Sequence, residues 1–212
     1  MSNPDRPVPE VEKDAVNTAS PWVARWSHLA PPGASVLDVA CGGGRHLEWF
    51  ARRGHAVTGI DRDTEAARQR VSGAELITAD IEAGPWPLAP VPSSNGEDLP
   101  TTRRFGLVVV TNYLWRPLMP QIMDSVAPAG VLIYETFAIG NETVGRPRRP
   151  EFLLQPGELL RACADWHVVA YENGTLSTPA RFVQRIAAVR KAAVNAFDDP
   201  APAYALSLKS NL

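Results

Sequence analysis

The residues best suited to chemistry lie where a short apolar run ends in consecutive glycines. Residues 36–44 read Val-Leu-Asp-Val-Ala-Cys-Gly-Gly-Gly. Glycines between a strand and a helix let the backbone approach a ligand without interference from Cβ atoms, and they direct free amide groups at that ligand. The pattern predicts a cofactor site at this turn, and two classes of cofactor use such a turn.

The spacing of the glycines separates the two cofactor classes. A dinucleotide site has the pattern G-x-G-x-x-G, in which the third glycine permits close helix packing and the helix N-terminus holds a pyrophosphate. Gly42 and Gly44 supply the first pair, but Leu47 occupies the third position. An NAD-dependent oxidoreductase is therefore the less favoured interpretation.

The alternative pattern is an acidic residue followed by G-x-G-x-G, which Asp38, Ala40, Gly42 and Gly44 match with one alanine in place of the first glycine. At these residues the chain resembles the class I S-adenosylmethionine-dependent methyltransferases. The resemblance implies that the loop, with Cys41 inside it, wraps the methionine part of S-adenosyl-L-methionine. An early acidic residue suits the positively charged amino group of that cofactor better than it suits a phosphate.

Two further acids end the next two predicted strands. Asp61, followed by Arg62, stands where a carboxylate can accept both hydroxyls of a ribose bound over the sheet edge. The resemblance implies that Asp80 accepts from the adenine amino group while Ile81 packs on the ring. Open α/β sheets bind ligands at the carboxyl ends of their strands, so the successive acids predict one cofactor site.

The end of the fourth predicted strand supplies candidates for the acceptor side. It reads Thr-Asn-Tyr-Leu over residues 111–114, and the resemblance implies that this position faces the transferable methyl group. Asn112 is assigned to the cofactor and Tyr113 to the pocket wall, although Tyr113 as a core residue fits equally well. The segment is not the Asn/Asp-Pro-Pro-Tyr/Phe motif, which disfavours methylation of exocyclic adenine or amide nitrogen. His46, Tyr113 and Glu135 are the candidates for a general base, and none is assigned a catalytic role.

A basic segment follows the fifth predicted strand. Guanidinium forks match carboxylate and phosphate geometry, so Arg146, Arg148 and Arg149, together with Asn141, are candidates for binding an anionic acceptor. A solvated basic loop is the alternative. Residues 134–160 also resemble bacterial methyltransferases of the tellurite-resistance type, and the resemblance covers roughly residues 35–189.

The sulfonium cofactor carries an activated methyl group, so the resemblance implies an enzyme that mainly aligns the acceptor and excludes water. The leading hypothesis is methyl transfer to a small-molecule acceptor, on oxygen, sulfur or a metalloid. Transfer to RNA or protein is the second hypothesis, supported only by the arginines of residues 103–104 and 146–149. NAD-dependent oxidation, and a degenerate fold that binds the cofactor and regulates a partner, are the remaining alternatives.

The elements that must position these residues alternate between strand-like and helix-like segments, which is typical of a parallel sheet wrapped by helices. Ser20 and Pro21 predict the start of a first helix. Further helices are predicted at residues 44–53, 64–71, 118–126 and 156–164. Strands are predicted at residues 35–40, 55–60, 75–79, 107–110, 131–135, 167–171 and 182–189, the last two joined by a turn containing Asn173 and Gly174. The prediction is a doubly wound α/β fold with a seven-stranded, mostly parallel, Rossmann-like methyltransferase sheet whose last strand is antiparallel.

Length and composition limit the domain organisation, the partners and the location that the sequence predicts. The chain has 212 residues, enough for one domain, which we assign to residues 18–190 with a Pro-rich surface loop at 85–104. Residues 1–17 are predicted to be a mobile arm and residues 191–212 an appendage. A net charge of −2 makes nucleic acid an unfavoured partner. The polar amino terminus and the absence of an apolar run of ~20 residues predict a cytoplasmic protein without a membrane partner. The two cysteines form no metal-binding or disulfide pattern, and the oligomeric state is undetermined.

Overall fold

The computed structural model describes residues 18–89, 103–192 and 203–206. The predicted arm at residues 1–17, most of the predicted loop at 85–104 and most of the predicted appendage lie outside the described residues.

Seven strands form one sheet in the order β3-β2-β1-β4-β5-β7-β6. Strands β1 to β5 pair in parallel, while β7 pairs antiparallel with both β5 and β6. This topology confirms the predicted doubly wound fold with an antiparallel last strand. The strands are β1 Val36–Val39, β2 Val57–Asp61, β3 Glu75–Thr78, β4 Phe105–Thr111, β5 Val126–Phe137, β6 His167–Ser177 and β7 Ala180–Val189.

Within the described residues, five short α-helices connect or cover these strands: α1 Pro21–Trp26, α2 Arg45–Ala51, α3 Glu65–Arg70, α4 Met119–Asp124 and α5 Glu158–Ala162. Helix α1 begins as predicted, because the Ser20 hydroxyl accepts a hydrogen bond from the backbone N–H of Trp22 at 3.2 Å and Pro21 occupies the first helical position. No helix of the described residues is long and apolar enough to cross a bilayer.

The central strands are apolar on both sides, as a parallel sheet covered by helices requires. Successive residues of β1 and β4 belong alternately to two core clusters: Leu37 and Val108 lie in one, Val36 and Leu107 in the other. Trp22 and Trp26 of α1 are buried in the second cluster. Helix α1 therefore covers one face of the sheet beside the ends of the strands.

The predicted turn at Asn173 and Gly174 is wrong. Both residues lie inside β6, opposite Gln184 and Val183 of β7, and the chain reverses at Thr178 and Pro179. Proline has no backbone N–H to donate to a sheet ladder, whereas an Asn-Gly pair is tolerated on an edge strand such as β6. The hairpin is therefore longer than the sequence pattern indicates.

The described ends of the predicted 85–104 loop are not free surface segments. Trp86 and Leu88 are buried in the first core cluster, and the backbone N–H of Arg103 donates to the Leu88 carbonyl at 3.2 Å. At the other end of the chain, the Tyr204 ring packs on His167 with centroids 4.9 Å apart. These described parts of the predicted loop and of the predicted appendage therefore pack on the domain.

Candidate functional site

The turn after β1 is left-handed at alternate residues. Ala40 has φ 56°, Gly42 has φ 51° and Gly44 has φ 75°. These are the three positions of the G-x-G-x-G pattern, so Ala40 adopts the conformation for which glycine is favoured. A Cβ on Gly42 would meet nothing within 4 Å, whereas a Cβ on Gly44 would lie 3.0 Å from Ala67 Cβ on α3. Gly42 thus faces open space, and Gly44 allows two helices to approach each other.

Asp61, at the end of β2, is bound to this turn. Its Oδ2 accepts a hydrogen bond from the Gly42 N–H at 2.8 Å, and its Oδ1 accepts from the Asp63 N–H at 3.1 Å. Each carboxylate oxygen can accept more than one hydrogen bond. The carboxylate can therefore orient the glycine turn and still accept from a ligand hydroxyl.

A first cavity of about 550 Å³ opens beside Asp61, and we call it the acidic cavity. Its acids are Asp61, Asp80 and Glu82, and Asp80 Oδ1 accepts from the N–H groups of Glu82 and Ala83 at 3.1 and 3.2 Å. The cavity brings together six of the predicted site residues: Ala40, Asp61, Arg62, Asp80, Ile81 and Tyr113.

A second cavity of about 810 Å³ lies on the other side of the glycine turn, and we call it the arginine cavity. It shares Ala40 and Tyr113 with the acidic cavity, so the two meet over the turn. Of the predicted residues it also contains Cys41, Gly42, His46, Asn112 and Glu135. Its remaining walls include residues 18, 20 and 21 before and at the start of α1, the hairpin residues 178–179, and Arg45, Arg70 and Arg181.

Glu135 on β5 ties this cavity to α1. Its Oε1 accepts from the Ser20 hydroxyl at 2.9 Å, and its Oε2 accepts from Arg185 Nη1 at 3.0 Å. Arg185 also donates to Glu172 on β6 at 2.6 Å. Both carboxylate oxygens of Glu135 are therefore already engaged, one by a hydroxyl and one by a guanidinium group.

His46 is buried beneath the start of α1. Its Nε2 accepts from the Ser20 N–H at 3.2 Å, so the ring proton belongs on Nδ1, which lies 3.6 Å from Asp38 Oδ2. The basic nitrogen is thus already engaged by the backbone. Asp38 is 1% exposed, is absent from the walls of both cavities, and its oxygens have no hydrogen-bond partner among the described residues. Its assignment to the cofactor amino group stays a prediction.

Tyr113 and Cys41 remain protonated in this environment. Burial raises the pKa of the Tyr113 phenol, and the carboxylates of Glu82, Asp80 and Asp61 raise it further. Burial likewise raises the pKa of the Cys41 thiol, with Asp38 and Asp61 acting in the same direction. Neither side chain is therefore poised as a base or nucleophile near neutral pH.

The predicted basic loop contributes Pro147, but none of its arginines, to the cavities near the glycine turn: Pro147 and Phe152 border a smaller cavity of about 210 Å³ that shares Asn112 and Tyr113 with the arginine cavity. Arg149 pairs with Glu151 and stacks over Phe152, and Arg148 donates to the Gly145 carbonyl. The buried Asn141 donates to the Pro147 carbonyl and accepts from the Phe182 N–H, both at 3.2 Å, so its amide pins the loop to β7. Arg146, Arg148, Arg149 and Asn141 line neither cavity.

Sequence reasoning missed Arg45, Arg70 and Arg181 in the arginine cavity and Trp115 and Glu82 in the acidic cavity. Arg45 directly follows the glycine turn, and that position was a usable signal. Arg181 was missed because the sequence pattern put it in the connection before the last predicted strand. In the structure the chain reverses at Thr178 and Pro179, and Arg181 is the second residue of β7, at the cavity.

The residues present fit S-adenosyl-L-methionine. The open space at Gly42 admits a ligand against the backbone, Asp61 offers acceptor capacity for ribose hydroxyls, and Ile81 presents an apolar side chain beside Asp80 in the same cavity. Leu47, at the third dinucleotide position, is fully buried, and its Cδ1 would lie 3.6 Å from a Cβ on Gly44. At the position where a dinucleotide site has a glycine for close helix packing, this chain has a buried leucine on α2.

Comparisons with known proteins agree with this arrangement. Residues 36–129 match the family described as "Methyltransferase domain". No curated protein matches the chain.

Three solved structures illustrate the fold. TehB from Haemophilus influenzae superposes with a TM-score of 0.59 at 18% identity over 80% of this chain and 61% of its own, so this chain spans about three fifths of that protein. A TehB-like S-adenosylmethionine-dependent methyltransferase from Corynebacterium glutamicum gives 0.53 at 20% identity, covering 84% of this chain and 91% of that one. The 1,6-didemethyltoxoflavin-N1-methyltransferase of Burkholderia thailandensis gives 0.56 at 15% identity, covering 86% and 81%.

Proposed function

We propose that this chain, an S-adenosylmethionine-dependent methyltransferase with the class I fold, transfers the methyl group to a small molecule bound in the arginine cavity. The observation that carries the proposal is the contiguity of two cavities of different character over the glycine turn. The acidic cavity suits the adenosine of the cofactor, and the arginine cavity leaves space for an acceptor beside it.

The size and walls of the arginine cavity support a small acceptor. Its volume of about 810 Å³ falls within the usual range for small-molecule sites. Residues before α1 border one side and the Thr178–Pro179 hairpin borders another, which favours a compact acceptor over a folded RNA or protein surface. The structurally similar Burkholderia enzyme is bound to 1,6-didemethyltoxoflavin, itself a small molecule.

Asp61, Asp80, Ile81 and the glycine turn would hold the cofactor, which supplies an activated methyl group when bound. The turn would bring backbone N–H groups to the cofactor, while Asp61 accepts from its hydroxyls. Ile81 would offer an apolar side chain to the purine beside Asp80.

The chain's own contribution to the chemical step is then alignment of the acceptor. Glu135 is paired with Arg185, His46 Nε2 is engaged by Ser20, and Tyr113 stays a phenol. Alignment alone can contribute about 7–11 kcal/mol to such a step. Acceptor atoms that are nucleophilic without a protein base, such as a thiolate or an ionised oxygen, suit this cavity best.

Parallel calorimetric titrations with S-adenosylhomocysteine and NAD test the cofactor. We expect micromolar affinity for S-adenosylhomocysteine, about −8 kcal/mol, and no comparable binding of NAD. Asp61→Ala should weaken S-adenosylhomocysteine by about 1.5–3 kcal/mol because it removes charged hydrogen bonds. Glu65→Gln is the matched control, since Glu65 is an exposed acid that lines neither cavity. Tighter binding of NAD, or an Asp61→Ala variant of unchanged affinity, contradicts the assignment.

Transfer of a labelled methyl group identifies the acceptor class. Incubation with labelled S-adenosylmethionine and separate metabolite, RNA and protein fractions should label the metabolite fraction. Label confined to RNA or protein would overturn the small-molecule proposal while leaving the enzyme class intact.

A further inference from the structure

Two arginines of the arginine cavity have no hydrogen-bond or ion-pair partner among the residues that the structure describes. Arg45 and Arg181 form no hydrogen bond and no ion pair with any described residue, and the Nε of Arg181 is buried with its hydrogen-bonding capacity unused. Other partly buried arginines are matched: Arg116 donates twice to Glu158, and Arg185 donates to Glu135 and Glu172. Arg45 and Arg181 therefore differ from Arg116 and Arg185 in having no hydrogen-bond or ion-pair partner among the described residues.

The local charges compensate the Arg45 guanidinium group only in part. Burial lowers the pKa of Arg45, Asp38 and Glu135 raise it, and the positive charges of Arg181 and Arg70 lower it again. The Glu135 carboxylate is already shared by Arg185 and Ser20, and Asp38 is enclosed under the turn beside His46. Holding unpaired cations in a partly buried cavity is unfavourable, and an anion entering the cavity would relieve that cost.

The positions of the two arginines suit one anionic group. Arg45 is the first residue of α2, next to the glycine turn, and Arg181 is the second residue of β7, beside the hairpin that borders the cavity. They approach the cavity from different elements, and each presents a planar fork of N–H donors. Such forks match the two oxygens of a carboxylate.

We propose that Arg45 and Arg181 bind the carboxylate of the methyl acceptor, so that the substrates of this enzyme are small organic acids. The proposal rests on the proposed function, because it assigns the acceptor of that same site. It transfers the anion-binding role from the arginines of the 146–149 loop to a pair inside the cavity.

The methionine part of the cofactor also carries a carboxylate, so the experiment must separate two sources of the same chemistry. Benzoate and its uncharged isostere benzamide are the probes, titrated by calorimetry into protein saturated with S-adenosylhomocysteine. Benzoate should bind about tenfold or more tightly than benzamide. Arg181→Gln and Arg45→Gln should each reduce benzoate affinity about tenfold or more, whereas Arg68→Gln, an exposed arginine on α3 that lines neither cavity, should not.

The S-adenosylhomocysteine affinity and the melting temperature of the Arg181 variants are measured as well. In Arg181→Gln, S-adenosylhomocysteine affinity should stay within about twofold of the wild type, since only the acceptor side is altered. The ligand-free variant should melt at or above the wild-type temperature because it lacks an unpaired buried charge, and Arg181→Lys should keep an intermediate benzoate affinity since it keeps charge without the fork.

Three results would overturn the proposal. Equal affinity for benzoate and benzamide would show that no carboxylate site exists. Loss of S-adenosylhomocysteine affinity with unchanged benzoate binding would assign Arg181 to the cofactor. A destabilised Arg181→Gln with both affinities reduced would make the residue structural. Failure of the wild type to bind S-adenosylhomocysteine would contradict the proposed function instead, and the benzoate titrations can be repeated without it to judge the arginine pair separately.

Discussion

At the scale of single residues, the alternation of backbone conformation at residues 40, 42 and 44 explains why the turn after β1 is so rich in glycine. Gly42 and Gly44 both have a positive φ but differ in their surroundings: Gly42 faces a cavity and Gly44 faces α3. Ala40 has the same left-handed conformation with a side chain, at a cost of about 1–2 kcal/mol. An alanine therefore occupies a position whose backbone conformation favours glycine.

Substitution of these two glycines should separate binding from folding. Gly42→Val should abolish S-adenosylhomocysteine binding while costing stability only through its backbone conformation, because its side chain enters open space at the cofactor loop. Gly44→Ala should lower stability by about 1–3 kcal/mol, because its Cβ would press on Ala67. Chemical denaturation followed by circular dichroism and a titration of each variant check both effects. Normal binding by Gly42→Val would mean that the loop has been assigned to the wrong ligand.

At the scale of elements, one ion pair connects the segment after β4 with α5. Arg116 donates to both Glu158 carboxylate oxygens at 2.7 and 2.9 Å and to the carbonyls of Glu151 and Leu153. Burial raises the pKa of Glu158, but the Arg116 hydrogen bond and the Gln155 N–H lower it more, so the pKa lies below its ordinary value of 4.5. The pair therefore positions the chain between β5 and β6 on the first core cluster.

The Glu158 ion pair should make the free energy of unfolding depend on pH in the acidic range. Because the folded pKa of Glu158 is depressed, its contribution is complete above its ordinary pKa of 4.5 and is lost as the pH falls through the lower folded value. Glu158→Gln should cost about 1–2 kcal/mol at pH 7, and the difference from the wild type should shrink in strong acid. Urea denaturation at pH 7 and below pH ~4 measures this difference. Glu65→Gln, from an exposed pair with Arg68, serves as the control, and an equal loss in that variant would refute the argument.

At the scale of the whole molecule, the start of the described chain is built into the site. Ser20 caps α1, donates to Glu135 on β5 and, through its N–H, binds His46 on α2. Trp22 Nε1 also donates to the Ile186 carbonyl on β7 at 3.2 Å. The first helix is therefore connected to the sheet, to the helix of the glycine turn and to the wall of the arginine cavity at once.

Ser20→Ala should loosen this connection more than an ordinary surface change does. It removes the cap and one buried hydrogen bond, with an expected loss of about 1–2 kcal/mol of stability and faster hydrogen exchange in α1. Benzoate affinity, measured in the presence of S-adenosylhomocysteine, should fall as well, because Ser20 borders the arginine cavity. Ser27→Ala is the comparison, since among the described residues the Ser27 hydroxyl donates only to the nearby Ala24 carbonyl. Identical behaviour of the two variants would show that Ser20 is merely a helix cap.

The sequence by itself determined the parts of this protein that depend on neighbouring residues. Alternating apolar runs specified the seven-stranded sheet, and Ser20 with Pro21 specified the start of α1. The glycine spacing specified the left-handed turn, and Asp61 and Asp80 were located at strand ends by the same local pattern. Such features are readable because backbone conformation and side-chain periodicity act over a few residues.

Tertiary structure alone decided which polar residues converge. The 146–149 arginines form the densest basic cluster in the sequence, yet Asn141 holds their loop against β7 and none of the three arginines lines either cavity. Arg45 and Arg181 lie far apart in sequence and border the same cavity only because β7 inserts between β5 and β6, with the chain reversing at Pro179. That register depends on strand pairing across the sheet, an interaction between distant segments that a local pattern does not encode.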